Sequence, residues 1–86
     1  MVAYFMKQPK SKLIVSKEER NSLKKLGRRI AELAAKRRAS IEKIAYEGGV
    51  SKGYLYDIVR GNGNPSLVIL LRIAEALEVK LTDLVS

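Results

Sequence analysis

The sequence predicts an all-α protein: five helices in a domain over residues 16–86, preceded by a basic arm over residues 1–15. Three observations predict it. Apolar residues recur at helical spacing in successive short stretches. Four of those stretches follow a serine placed to cap a helix: Ser16, Ser40, Ser51 and Ser66. The breaks at Gly48-Gly49 and Gly61-Asn62-Gly63-Asn64-Pro65 carry turn chemistry.

The arm holds Pro9 and two short apolar patches, Val2–Met6 and Leu13–Val15, which could be disordered, pack on the domain, or pair with a second copy. Ser16-Lys17-Glu18-Glu19 fits a capping box. The first helix carries Leu23, Leu26, Ile30 and Leu33 on one stripe, with Lys24, Lys25, Arg28, Arg29 and Lys36 away from it. Arg37 and Arg38 suit its last turn, where cations meet the negative dipole end. A second helix follows Ser40 with Ile41, Ile44 and Ala45 apolar and stops at Gly48-Gly49. A third runs from Lys52 to about Arg60 with Leu55 and Ile58 inward. A fourth carries Leu67, Leu70, Leu71, Ile73, Ala74 and Leu77, and Lys80 to Val85 is a last short helix.

The paired glycines interrupt a run that otherwise reads as helix. A connection of about three or four residues sets two short helices at a steep angle, and such a turn needs a residue at positive φ. Gly49 is the expected left-handed residue, Gly48 lets the helices approach, and Val50 plugs the inside of the corner. Ala45 must be small because the next helix crosses over it. Ile41, Ile44, Ala45, Gly49, Val50, Leu55 and Ile58 together make the pattern of a DNA-binding helix-turn-helix.

Composition bounds the function. Lys and Arg number 17 against 9 Asp and Glu, a net charge of +8. The imbalance is confined to residues 1–40, with 12 basic and 3 acidic groups, or +9; residues 41–86 hold 5 and 6, or −1. The basic half fits a polyanion partner, although a solvated helix face and a basic tail would carry the same charges. With neither His nor Cys, the commonest acid–base groups, nucleophiles and zinc ligands are missing, so neither an enzyme nor a metal site is expected. Gly61-x-Gly63 lacks the third glycine of a dinucleotide loop, and no cofactor is expected. No apolar run spans a membrane and no signal pattern opens MVAYFMKQPK, which reads as cytoplasmic.

Ala45, Gly49-Val50-Ser51, Tyr54-Leu55, Ile58, Arg60-Gly61, Asn64-Pro65-Ser66-Leu67, Leu70-Leu71-Arg72-Ile73-Ala74 and Ala76-Leu77 resemble the Cro and phage-repressor type of regulators, also called XRE-like. The resemblance covers about residues 22–86. It implies a five-helix lambda-repressor-like fold and double-stranded operator DNA as ligand, usually bound by a homodimer. Three departures stand out. Ile41 replaces a frequent Gln; Ala34 and Val59 jointly replace a frequent Arg–Glu pair, a change that packed apolar groups can absorb; Glu78 replaces a helix-ending Gly at some cost in strain.

In such a motif the helix after the turn enters the major groove. Lys52, Gly53, Tyr56 and Asp57 are the expected base-contacting residues. Lys52 can donate to guanine or hold a phosphate, and Gly53 can let the backbone approach. Tyr56 can press on a thymine methyl or bond a phosphate. Asp57 can accept from cytosine N4. Phosphates are expected at Arg37, Arg38, Ser40, Ser51, Tyr54, Arg60, Asn62, Asn64 and Ser66. Val68, Ile69, Val79, Leu84 and Val85 are the expected dimer interface, and a protein partner such as a toxin is a further expectation. Phage repressor, restriction-modification controller and autoregulating antitoxin stay open as roles. A protein-interaction module on the same fold is the competing reading, and a membrane-surface role for the basic first helix conflicts with the use of its stripe in a core.

Overall fold

The computed structural model describes residues 15–85, so the expectations placed on residues 1–14 lie outside the described residues. Those described residues form five helices and no strand: α1 Lys17–Lys36, α2 Ile41–Gly48, α3 Lys52–Val59, α4 Leu67–Leu77 and α5 Leu81–Val85. None of these helices is long and apolar enough to cross a membrane.

The first four helices share one punctuation. Each begins at a serine whose Oγ accepts the amide three residues on, at Glu19, Lys43, Tyr54 and Ile69, over 3.0, 3.0, 3.0 and 3.2 Å. At Ser16 the box is closed, because its own amide donates to Glu19 Oε1 at 2.8 Å. Each also ends in a Schellman motif, with a left-handed residue just past the helix. Gly49 (φ 67°) and Gly61 (φ 84°) supply that conformation for α2 and α3, whereas α1 and α4 use Arg38 (φ 59°) and Glu78 (φ 61°). The following amide folds back in every case. Ala39, Val50, Asn62 and Val79 donate to Ala34, Ala45, Asp57 and Ala74 carbonyls over 3.0, 2.9, 2.9 and 3.0 Å.

Ile30, Ile44, Leu55, Ile58, Ile73 and Leu77 are the fully buried side chains that join α1 to α4 in one core. Each stabilises the fold by about 1.5–3 kcal/mol relative to exposure. No polar or charged side chain is buried among the described residues. The contact line of α1 is rotated from the expected stripe. Gly27, Ile30 and Ala34 are its buried residues, and Leu26 and Leu33 flank the core only partly covered. The reason is Gly27, where a Cβ would lie 2.3 Å from the Val59 carbonyl oxygen and 2.6 Å from that of Ile58. The backbones of α1 and the end of α3 meet there, and a larger residue would push them apart. Gly48 likewise serves α4 rather than α3: a Cβ on it would sit 3.1 Å from the Arg72 carbonyl oxygen.

The expected dimer residues divide. Leu84 is 3% exposed and belongs to the core that α5 closes, so it is not available as a surface contact. Val79 is the apolar residue after the α4 terminus; with Ile69, it packs half-buried against the same core. Val68 and Val85 are exposed, and so are Leu67 and Leu71, which the apolar series on α4 did not distinguish from its inward members. A helix with apolar residues at positions 67, 68, 70, 71 and 73 has more greasy surface than one core can cover.

Candidate nucleic-acid interface

The α2–turn–α3 corner is built as the residue pattern requires. Ile44 and Ala45 point down from α2, Val50 fills the angle, and Leu55 and Ile58 anchor α3, all of them buried. Gly49 turns the chain in the left-handed region, where a residue with Cβ is strained. With Leu55 and Ile58 fixed inward, the wheel leaves Lys52, Gly53, Tyr56, Asp57 and Arg60 on the outer side of α3. Lys52, Gly53, Asp57 and Arg60 are exposed and Tyr56 is half-buried. A Cβ at Gly53 would meet nothing within 4 Å, so the leading end of α3 is bare backbone on that side.

A chain of polar contacts ties this face together. The Tyr56 hydroxyl donates to Glu42 Oε2 on α2 at 2.7 Å. The Arg60 guanidinium lies over the Tyr56 ring, 5.6 Å from its centroid. Arg60 also donates to Asp57 Oδ1 at 3.3 Å. Asp57, which would repel phosphates if alone, therefore has a cation beside it. The Tyr56 hydroxyl holds the Glu42 carboxyl below the usual carboxylate range, helped by a backbone hydrogen bond and by the Lys52 charge. Glu42 in turn pushes the Tyr56 hydroxyl up.

Most of the expected phosphate residues are exposed. Ser40, Ser51 and Ser66 are exposed caps whose oxygens accept helix amides, leaving each hydroxyl proton outward. Asn62 and Asn64 are exposed in the loop after α3, and the Tyr54 hydroxyl reaches the Asn64 carbonyl at 3.5 Å. Arg38 is exposed at the left-handed step. Arg37 departs from expectation. It donates to the Ala76 carbonyl and lies 3.5 Å from both Glu47 and Glu78, so its charge closes the C-terminal end of α4 instead of facing outward. Glu47 is lowered in pKa chiefly by its hydrogen bond from Lys43, with Arg37 adding to it.

Glu42 was not singled out by the sequence as part of this face. It lies 14 residues from Tyr56. Only the corner brings the two side chains together, and helical spacing within either helix gives no sign of it. Gly27 was missed for a similar reason, since a glycine inside an amphipathic helix reads as a tolerated weakness until its neighbour is known.

The helix-turn-helix family pattern matches residues 31–84. The HTH-type transcriptional regulator SlrR of Bacillus subtilis (strain 168) is 48% identical over 58 residues, covering 65% of this chain; the match spans 38% of that relative's length. The restriction-modification controller protein C.AhdI from Aeromonas hydrophila superposes with a TM-score of 0.73 at 34% identity, over 74% of this chain and 97% of that one. The clp gene regulator ClgR from Corynebacterium glutamicum gives 0.69 at 26% identity, over 72% and 66% of the two chains. A hypothetical transcription factor, NHTF, from Neisseria shares the fold at 22% identity, with a TM-score of 0.74 over 90% of each chain.

Proposed function

We propose, for a chain that belongs to the helix-turn-helix family of DNA-binding transcription regulators, that it binds a specific operator by inserting α3 into the major groove. One observation carries this reading: the outer side of α3 is uncovered from its leading end, with Lys52 exposed, Gly53 bare, and Ser51 and Ser40 capping the helix ends beside it. Phosphates would be held by Arg38, Ser40, Ser51, Tyr54, Arg60, Asn62, Asn64 and Ser66, and bases by Lys52, Gly53, Tyr56 and Asp57. A palindromic site bound by a homodimer is the arrangement that two copies of one such helix require, with half-sites about one helical turn apart. The similarity to a restriction-modification controller favours the controller role among the three that the sequence left open.

The test is binding of a labelled promoter fragment from the protein's own locus across a salt series. Specific retention that falls steeply with salt supports the reading. Retention indistinguishable from that of unrelated DNA at every salt concentration defeats it. Lys52→Ala separates its two roles. If Lys52 reads a base, the variant relaxes preference at one position of each half-site and loses about 1–3 kcal/mol there; uniform weakening on all sequences makes it a phosphate anchor.

The protein-interaction reading is favoured by a separate feature, the exposed apolar residues Leu67, Val68 and Leu71 on α4. These are compatible with DNA binding, since a dimer or a toxin-like partner could use them while α3 stays in the groove.

A further inference from the structure

The contact between Glu42 and Tyr56 limits what Tyr56 can say to DNA. A phenolic hydroxyl has one proton to donate and lone pairs that accept. At 2.7 Å from a carboxylate oxygen, that proton is committed to Glu42 in a charge-assisted bond. What the pair can then turn toward a ligand is acceptors alone: the remaining lone pair of Tyr56 and those of Glu42. The ring is also held in place, with Arg60 over one face and Asp57 holding Arg60.

Phosphate oxygens only accept, so they gain nothing from this pair. Guanine offers N7 and O6 in the major groove and thymine offers O4, which are acceptors too. The only donors on the base edges there are the exocyclic amines, N4 of cytosine and N6 of adenine. Resting on the DNA-binding reading above, we propose that Glu42 and Tyr56 act as one specificity element that selects an exocyclic amino group, cytosine N4 or adenine N6, at one position in each half-site. Glu42 is the positioning residue, because it fixes the direction of the hydroxyl proton, and Tyr56 makes the contact. The bond survives docking because the phosphates bring no donor to replace it, and parting the pair would leave the Glu42 carboxylate unpaired beside like charge. The donated phosphate contact that the residue type alone allowed for Tyr56 is thereby disfavoured.

The experiment is selection of bound duplexes from a randomised pool with the full chain, its Tyr56→Phe variant and its Glu42→Ala variant, each first shown to melt cooperatively. The parent protein is expected to enrich A or C over G and T at the position by about tenfold. Tyr56→Phe should abolish that enrichment and leave the other positions unchanged. Glu42→Ala frees the hydroxyl proton, so the same position should move toward G or T. A parent protein that selects G or T there overturns the proposal, as does a Glu42→Ala profile identical to the parent's; the DNA-binding reading survives both results. A parent protein that selects no site defeats that reading first, and this proposal with it. A measurement on the parent protein alone is available if either variant fails to fold. Replacing the selected adenine by purine, or the selected cytosine by 2-pyrimidinone, deletes the amine; a tenfold loss supports the proposal and an unchanged affinity overturns it.

Discussion

At Gly53 the α3 backbone carries no side chain and nothing would obstruct one, since an added Cβ meets no atom within 4 Å. Glycine in a helix costs about 1 kcal/mol relative to alanine. Gly53→Ala is therefore expected to raise stability by about 0.5–1 kcal/mol in thermal denaturation. If the bare backbone serves close approach to DNA, the same variant binds its selected site more weakly; unchanged binding would leave Gly53 without that role. Arg37 shows the opposite relation. The sequence placed two adjacent arginines before the Ser40 cap and offered both to phosphates, but the left-handed step at Arg38 leaves Arg37 against the end of α4. Arg37→Ala should lower stability by about 1–2 kcal/mol, because the Ala76 carbonyl loses a charged donor. It should leave the salt dependence of DNA binding alone, whereas Arg38→Ala should reduce that slope by about one.

Among the elements, the four serine caps were legible because the motif is local: a side chain bonds an amide three residues away, whatever else the chain does. The helix ends were half legible. Gly49 announced its conformation through its residue type, and Glu78 was recognised only as a departure from a usual glycine. Arg38 gave no sign at all, since an arginine at positive φ is dictated by where Ala39 must return to bond Ala34. The left-handed region costs a residue with Cβ roughly 1–2 kcal/mol. Glu78→Gly should recover about 0.5–1 kcal/mol of this after the added freedom of the unfolded chain is counted. A rise in melting temperature of a few degrees checks it, and a fall would mean that the exposed Arg37 contact outweighs the strain.

For the whole molecule, periodicity separated apolar faces from polar ones but could not apportion the apolar residues of α4 and α5 between core and surface. Leu84 and Val68 both looked like interface candidates. One closes the core and the other is 57% exposed. Leu84→Asp should abolish cooperative unfolding, because a carboxylate would be buried without a partner. Val68→Asp should leave cooperative unfolding intact. If α4 carries the second copy, it also converts a dimer to a monomer in sedimentation; a dimer that persists moves the interface away from this face.

The sequence by itself determined the five helices of the described residues, the serine-capped starts, the corner at Gly49 and the outward set on α3. Each of these follows from residue type and spacing within a few positions of the chain. Tertiary structure alone decided that Gly27 is a crossing point, that Arg37 closes α4, that Leu84 is core, and that Glu42 holds the proton of Tyr56. These depend on which helix lies opposite, and a pattern repeating every 3.6 residues records the direction a side chain points without recording what it meets.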